Sequence, residues 1–343
     1  GRAAAHGGLA QKTGGTFLKY DLIVAGCGFS GAVIAHLAAK RGDRVLLVEK
    51  RGHIAGNMYD YVDEAGILVQ KYGPHSLHTN HARVRAFLSG LWEWEPFILR
   101  ARAMIRGRAT PSPFNLKTID DYYAPDRAGQ LKERLKAVYG DAKKTTIVEL
   151  LESPDPVIRE YAQFLFEEDY RPYTAKQWGI APETLDVSVL KRVPVRLDYT
   201  DAYFDDDWQV LPKKSFTAFF ERVLDLPGIE LRLRTNILDH LSLDSQSGAL
   251  SFDGEAVGVP VVYTGPLDEL FGCCYGSLPY RSLRFEWKTL DMDSFQETPG
   301  VAHPKAEGFT RITEYTKQPP QDGHGRTTIA VEYPASYRPG GQA

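Results

Sequence analysis

The amino-acid sequence predicts an α/β fold made of a discontinuous Rossmann-like domain, an inserted helical domain and an antiparallel-sheet domain. Three observations lead to this fold class. A strand, glycine turn, helix and strand follow one another from residue 21, and apolar residues recur at helical spacing through 120–177. Alternating patterns typical of antiparallel strands begin after residue 280. The 343 residues are enough for two or three domains.

The composition excludes several classes of protein. Hydrophobic residues make up 43% of the chain, which is enough for a buried core and argues against disorder. The net charge of −3 lacks the basic excess that binding to nucleic acid requires. Three cysteines without a C-x-x-C pair predict neither a disulfide framework nor a zinc site, and they favour a reducing compartment. We therefore expect a cytoplasmic protein that binds no metal and no nucleic acid.

The first element is an apolar stretch, residues 22–39, that is long enough to resemble a membrane span. Three glycines interrupt it and its hydrophobic period changes partway along. We therefore expect a short buried strand followed by a helix, and no membrane span.

The glycine motif between this strand and its helix has the spacing G-x-G-x-x-G, and Glu49 ends the next strand. In such a motif Gly26 permits the tight turn, Gly28 lets the backbone approach a pyrophosphate, and Gly31 lets the helix pack on the strand. The N-terminus of the helix offers free N–H groups to phosphates. Because Glu49 can accept both hydroxyls of an adenosine ribose, the pattern predicts a dinucleotide site that prefers a free 2′-hydroxyl.

A second glycine-bearing turn, residues 51–57, follows the second strand at once. A longer, folded-back dinucleotide needs additional backbone donors, and flavoproteins of the glutathione-reductase type carry such a turn. FAD is therefore favoured over NAD, and a plain surface loop is the alternative. In this part of the chain the expected cofactor-binding residues are Gly26, Gly28, Ser30, Gly31, Glu49, Lys50 and Asn57.

The remaining patterns predict how the domains divide the chain. Residues 84–110 mix apolar and arginine positions and could form strands, whereas residues 259–264 have the pattern of a strand that returns to the nucleotide sheet. We expect an FAD-binding domain from residues 18–90 and 213–268, a helical domain from 118–189, and a mixed antiparallel-sheet domain from 91–117, 190–212 and 269–343.

Several segments beyond the glycine motif carry a resemblance to a known family. They are Lys71–Thr79, Tyr173-Thr-Ala-Lys-Gln-Trp-Gly179, Leu190-Lys-Arg-Val-Pro-Val-Arg196 and Phe309-Thr-Arg-Ile312. With them, the sequence resembles the UDP-galactopyranose mutases of the bacterial type over nearly the whole chain. The glycine motif is general among flavoproteins, whereas the Y-T-x-K-Q-W-G and K-R-x-P-V-R segments are far more specific.

This resemblance implies an activity, a cofactor and an assembly. Family members interconvert UDP-galactopyranose and UDP-galactofuranose through a flavin N5–sugar adduct, with reduced FAD and no net redox change. The reaction serves galactofuranose biosynthesis for cell-wall polysaccharide. The resemblance also implies an isomerase that forms a homodimer.

The resemblance assigns roles to residues at matching positions. Arg192 and Arg311 would bind the diphosphate, since a guanidinium bonds phosphate oxygens in pairs and stays charged, and His78 would lie beside the flavin as a third catalytic residue. Without the motifs, each arginine would be interpreted as a surface charge and each aromatic residue as core packing. The implied substrate-binding residues are Tyr173, Thr174, Trp178, Tyr203 and Arg281. His75 and Ser76 would contact the flavin through their backbone.

Departures from the family pattern leave two alternative hypotheses open. Ala55 stands where the family has a second glycine, and the sequence ends before the family's tyrosine pair and flavin-closing segment. We therefore expect either a fragment of a longer polypeptide or weak binding of FAD. The alternative functions are an FAD-dependent oxidoreductase of the amine-oxidase type and an inactive nucleotide-binding remnant.

Overall fold

A computed structural model describes residues 19–181, 190, 193–244 and 246–337. These residues form two compact units. The first contains the described residues up to Gly56 together with Phe220–Leu278, and the second contains Asn57–Phe219 together with the described residues from Pro279 onward. The first unit is therefore discontinuous in the chain. The three-domain boundaries proposed from the sequence stay a prediction.

The first unit is built on a four-stranded parallel sheet. Its strand order is Ile229–Arg232, Val45–Val48, Leu22–Ala25 and Val261–Tyr263. The helix Phe29–Lys40 follows the strand Leu22–Ala25, as the glycine motif predicts. The strand Val261–Tyr263 joins this sheet, which confirms the predicted returning strand.

Both faces of this parallel sheet are covered, which is why its two central strands, Leu22–Ala25 and Val45–Val48, are apolar without alternation. Leu22 and Val24 pack on one side with residues of the helix Phe29–Lys40. Ile23 and Ala25 pack on the other side with residues of a small antiparallel sheet. The other elements of this unit are the strands Leu241–Leu243, Leu250–Phe252 and Glu255–Ala256, the 3₁₀ helix Ile237–Asp239 and the short helix Leu267–Leu270.

The second unit contains a six-stranded sheet. All its neighbouring pairs are antiparallel except one parallel pair, Ala101–Ile105 with Gly300–Ala302. This sheet confirms the alternating pattern found after residue 280. Its order is Arg281–Leu290, Thr327–Ser336, Arg311–Glu314, Gly300–Ala302, Ala101–Ile105 and Arg108–Ser112.

Helices dominate residues 116–178, as predicted. Asn115 and Thr146 each begin a helix with a capping box, and the Asp155 side chain accepts the first N–H groups of a third helix. Their apolar faces surround fully buried residues such as Leu131 and Tyr161. The elements are Leu116–Tyr122, Pro125–Tyr139, Ile147–Leu151, Pro156–Leu165, a π-helical turn Phe166–Tyr170 and Arg171–Trp178.

Residues 84–110 were expected to form strands, which is confirmed for Trp94–Pro96, Ala101–Ile105 and the start of Arg108–Ser112 but is wrong for the first part of the range. The helix Ala82–Leu91 occupies the first part, because its apolar residues recur every three or four positions and Leu88 is buried. Shorter elements complete the unit: the strand pairs Asp60–Val62 with Leu68–Gln70 and Lys144–Thr146 with Pro194–Arg196, and the three-stranded sheet of Leu77–Thr79, Trp208–Pro212 and Trp94–Pro96.

Two elements lie where the chain passes between the units. They are the 3₁₀ helix Gly56–Met58 and the helix Phe216–Leu224. Among all the helices that the structure describes, none is both long enough and apolar enough to cross a membrane.

Candidate active site

A cleft of about 510 Å³ lies within the second unit. Residues of the six-stranded sheet, of the helix Arg171–Trp178 and of the segments around the strand Leu77–Thr79 line it. The cleft brings together seven residues that the sequence selected from distant parts of the chain. They are His75, Ser76, His78, Tyr173, Thr174, Tyr203 and Arg311.

Arg311 is held in a fixed orientation at this cleft. It begins a strand in which strand register places it opposite Glu332. Its Nε and Nη2 donate to the two carboxylate oxygens of Glu332, each at 2.8 Å, and Thr313 Oγ1 also donates to that carboxylate at 2.9 Å. Only Nη1 is left without a partner among the hydrogen bonds of the described residues. The guanidinium therefore presents one nitrogen in a defined direction.

The ion pair with Glu332 keeps Arg311 positively charged. Glu332 is 2% exposed, whereas 36% of the Arg311 side chain is accessible. Burial would by itself lower the pKa of Arg311, but the carboxylate of Glu332 more than offsets this and raises the pKa above its usual value. The site therefore holds a permanent cation that borders solvent.

Two tyrosines provide aromatic surfaces in the cleft. Tyr173 lies on the helix Arg171–Trp178, and burial raises its pKa to about 12, so that its hydroxyl stays protonated at neutral pH. The backbone N–H of Tyr203 donates to Leu99 O at 2.8 Å, and its ring packs edge-on against Phe204 at 4.9 Å between centroids. These contacts fix the second tyrosine by its backbone and its ring.

His78 is oriented by two neighbours. Its Nδ1 donates to Asp206 Oδ2 at 2.7 Å, and its imidazole stacks on Phe204 with centroids 3.5 Å apart and planes 14° apart. Because Asp206 engages Nδ1, the second ring nitrogen, Nε2, is the one available to a ligand.

His75 is tied into the protein through both its side chain and its backbone. Its Nδ1 donates to Gly73 O at 2.8 Å, and its N–H donates to the Gln70 side chain. Its carbonyl accepts from Gln70 Nε2 at 3.1 Å and from Gln318 Nε2 at 3.2 Å. Burial lowers the pKa of His75, and Arg311 lowers it further, so the imidazole is neutral at pH 7.

Lys176, inside the Y-T-x-K-Q-W-G segment, braces the loop that leads to Arg311. Its Nζ donates to the carbonyls of His303 at 2.8 Å, Ala306 at 2.7 Å and Phe309 at 2.7 Å. An ammonium has three donors, and each has one carbonyl here. The segment therefore contributes a structural support as well as Tyr173 and Thr174.

The structure does not place two of the predicted substrate residues in the lining of this cleft. Trp178 is 40% exposed at the end of its helix. Arg281 Nε donates to Gln177 O at 3.2 Å, and its guanidinium packs on Gly179, beside the carbonyl end of that helix. Arg192 lies outside the described residues. Val193, the residue after it, lines the cleft.

Sequence reasoning missed several residues that line the cleft or hold its side chains in place. Glu332 and Asp206 were missed because only strand register and a loop bring them to Arg311 and His78. Arg102, which lines the cleft itself, was missed too, and it is paired with Asp201 (2.7 and 3.1 Å) and Glu297 (3.0 Å). Asp169 was missed as well, although its position four residues before Tyr173 could have revealed it.

The first unit contains the predicted dinucleotide motif, and its three glycines have different surroundings. Gly26 has a φ of +99°, and a Cβ there would lie 2.2 Å from Thr264 Oγ1. At Gly31 a Cβ would lie 1.8 Å from Gly26 O. A Cβ on Gly28 would meet nothing within 4 Å, so protein packing does not require a glycine at this position. The open space fits a ligand that approaches the backbone there.

The N-terminus of the helix Phe29–Lys40 completes this motif together with Glu49. No side chain in the described part of the chain caps the helix N-terminus at Gly28, which suits a phosphate. Glu49 is 7% exposed and braces the turn, since its carboxylate accepts from Cys27 N at 2.8 Å and from Arg51 N at 2.9 Å. Each of its oxygens keeps a further acceptor position for a ribose hydroxyl.

The other predicted cofactor residues lie near the same motif in the chain. Ser30 and Lys50 are exposed, and Asn57 is exposed in the 3₁₀ helix Gly56–Met58. Ala55, which replaces the family's second glycine, has a φ of +73°. An alanine at this φ is strained where glycine is not. The residues of this unit therefore fit a bound dinucleotide, with one strained position in the second turn.

These features first define a class: an α/β enzyme with a flavin-type Rossmann unit and a cleft that suits an anionic, aromatic substrate. A protein-family model for "UDP-galactopyranose mutase" matches residues 169–343, and one for an NAD(P)-binding Rossmann-like domain matches residues 24–91. The chain belongs to the UDP-galactopyranose mutase family. It is accordingly an isomerase, and the resemblance found in the sequence is confirmed.

Individual relatives show the same relationship. The UDP-galactopyranose mutase of Mycoplasma pneumoniae is 35% identical over 94% of this chain and 81% of its own length. The dTDP-fucopyranose mutase of Escherichia coli is 31% identical over 92% of this chain and 81% of its own length. A crystal structure of reduced UDP-galactopyranose mutase has a TM-score of 0.66 at 16% identity, covering 93% of this chain and 75% of that one. At this identity the structural likeness shows the fold alone.

Proposed function

We propose that this protein interconverts UDP-galactopyranose and UDP-galactofuranose and uses reduced FAD to do so. The observation that carries the proposal is the cleft in which a fixed Arg311 lies with Tyr173 and Tyr203, in a chain of the mutase family. A nucleotide sugar has an aromatic base, an anionic diphosphate and a polar sugar. The cleft offers a cation suited to the diphosphate and aromatic rings suited to the base.

Arg311 is the group that we propose for the diphosphate. Its Nη1 is free to donate to a phosphate oxygen, and the pair with Glu332 holds it in place before substrate binds. This orientation reduces the entropy lost on binding. Because UDP must stay close while its bond to the sugar is broken and remade, a fixed cation is more useful than a mobile one. Arg192 is proposed as the second cation of this subsite.

Further groups in this proposal contact the base, the diphosphate and the flavin. The ring of Tyr173 supports stacking of uracil, and Thr174, the next residue, supplies a hydroxyl to the same cleft. The Tyr203 hydroxyl is a donor for the diphosphate, and His78 contacts the flavin. Trp178 and Arg281 stay predictions as substrate-binding residues. A homodimer in the cytoplasm also stays a prediction.

The cofactor is proposed to bind at the glycine motif. Backbone N–H groups around Gly28 and the N-terminus of the helix Phe29–Lys40 would hold the pyrophosphate, and Glu49 would hold the adenosine ribose. Reduced FAD would supply an electron-rich nitrogen, N5, as the nucleophile for the sugar. The protein residues named above bind, orient and retain the groups that react.

The test is a turnover assay with the purified protein. The protein is reduced with dithionite, supplied with UDP-galactofuranose and analysed for UDP-galactopyranose by chromatography. We expect conversion by the wild type and its loss in Arg311→Ala and Arg192→Ala. The matched control is Arg127→Ala, which removes an exposed arginine that pairs with Glu160 on the surface.

Two results would contradict the proposal. One is conversion that persists in Arg311→Ala, since the diphosphate would then be held elsewhere. The other is steady oxygen consumption with turnover of an amine and no isomerisation, which would favour the oxidoreductase alternative.

A further inference from the structure

Asp169 lies in the cleft without an assigned role. It belongs to the π-helical turn Phe166–Tyr170, a conformation that is frequent at functional sites, and it lines the cleft with Tyr173. Neither carboxyl oxygen has a hydrogen-bond or ion-pair partner among the described residues. The two acids before it differ in this respect, because Glu167 pairs with Arg171 and Glu168 pairs with Arg106 and Lys305.

The surroundings of Asp169 favour a neutral carboxyl. Burial raises the pKa of Asp169 to about 7, and burial is the only cause. The cations that line the same cleft have partners of their own, since Arg311 pairs with Glu332 and Arg102 pairs with Asp201. Below neutral pH this side chain therefore offers one O–H donor and one carbonyl acceptor.

The spacing from Tyr173 places Asp169 beside the surface proposed for the base. Residues four apart on a helix are neighbours on the same face. Both side chains line the same cleft, so a base that stacks on the Tyr173 ring can turn its edge toward Asp169. The edge of uracil presents an N–H donor at N3 between two carbonyl acceptors, which a neutral carboxyl matches with one acceptor and one donor.

We propose that Asp169 recognises the uracil of the substrate, accepting a hydrogen bond from N3–H and donating one to a neighbouring carbonyl of the base. This inference rests on the proposed function, because it takes the cleft as the site of a uridine nucleotide. It assigns Asp169 to substrate selectivity and not to the chemical step. A carboxyl without a protein partner in a cleft is costly unless a ligand completes its hydrogen bonds.

The test measures the affinities of UDP and of its N3-methyl derivative at pH 6 by titration calorimetry. Methylation removes the N3–H donor and leaves the diphosphate unchanged. We expect the wild type to bind UDP about tenfold more tightly than N3-methyl-UDP, which is the size of one hydrogen bond in such a site. Asp169→Ala should lose this preference by weakening UDP alone.

Two further variants make the experiment specific. Asp169→Asn keeps one donor and one acceptor in the same shape, so it should bind UDP within about threefold of the wild type. Glu167→Gln removes a neighbouring acid that does not line the cleft, and it should bind both ligands as the wild type does. Thermal unfolding and flavin content, measured on each variant, show that the fold is retained.

The outcomes separate this inference from the function on which it rests. If the wild type binds UDP, Arg311→Ala weakens that binding, and Asp169→Ala keeps the preference for UDP over N3-methyl-UDP, the role of Asp169 is wrong and the proposed function stands. A fall in kcat with unchanged affinity in Asp169→Ala would also overturn the role in base recognition. If the wild type binds neither ligand, both proposals fail.

Discussion

The pair between Arg311 and Glu332 allows the structural and the binding role of one arginine to be separated. Arg311→Met leaves the Glu332 carboxylate, which is 2% exposed, with the Thr313 hydroxyl as a hydrogen-bond donor but no countercharge. Removing one partner of a buried ion pair costs about 3–5 kcal/mol. Because a third of the Arg311 side chain is accessible, we expect the lower end, about 3 kcal/mol.

The double variant Arg311→Met with Glu332→Leu removes both charges. Replacement of a whole buried ion pair by apolar residues of similar size is near neutral for stability, so this variant should lie within about 1 kcal/mol of the wild type. Its affinity for UDP should not recover, since the cation is still absent. A hydrogen bond to a charged group is worth about 1.5–3 kcal/mol, which corresponds to a loss of about 10- to 150-fold.

The assay combines thermal unfolding with calorimetric titration of UDP on the wild type, the single variant and the double variant. We expect a low melting temperature only for Arg311→Met and weak UDP binding for both the single and the double variant. Recovery of UDP affinity in the double variant would refute the claim that the guanidinium binds the diphosphate. A double variant as unstable as the single one would refute the claim that the unpaired carboxylate causes the loss.

Three further predictions concern other parts of the molecule. Because the pKa of Asp169 is raised to about 7, the folded state keeps a proton that the unfolded state releases above about pH 4. The free energy of unfolding of the wild type therefore falls as the pH rises from about 4 to about 7. Asp169→Asn avoids this loss, so its stability relative to the wild type should increase by about 1–3 kcal/mol between pH 4 and pH 8, as measured by thermal unfolding at each pH. Lys176→Met removes three carbonyl contacts and should cost about 2–3 kcal/mol of stability and weaken UDP binding, whereas unchanged melting and affinity would contradict its bracing role. Gly28→Ala should fold normally but purify without flavin absorbance. Gly26→Ala should fail to fold, because its added Cβ meets protein atoms whereas that of Gly28→Ala does not. Flavin retained in folded Gly28→Ala would contradict the proposed cofactor site.

The sequence predicts those parts of the fold that depend on local chemistry. The glycines at 26 and 31 are required by a turn and a close approach that lie within the motif itself, so their spacing was informative. The same holds for the helices after Asn115 and Asp155, which carry capping side chains. In the helix Ala82–Leu91 the mixed arginine and apolar pattern was misleading, although its three- and four-residue spacing was present.

The partners of the site residues could not be predicted in this way. Glu332 is 21 residues from Arg311, and only the register of two strands places them opposite each other. Asp206 is 128 residues from His78, and a loop brings it there. No local pattern records such contacts, since they depend on the packing of separate elements. The motifs identified seven of the residues that line the cleft, and the structure adds how Arg311, His75 and His78 are held.

The most direct test of the central claim is a crystal structure of the protein with UDP. We expect the diphosphate to lie within hydrogen-bond distance of Arg311, about 3 Å, with the base stacked on Tyr173 and its N3 facing Asp169. A structure in which UDP binds outside this cleft, or with its diphosphate away from Arg311, would contradict the account.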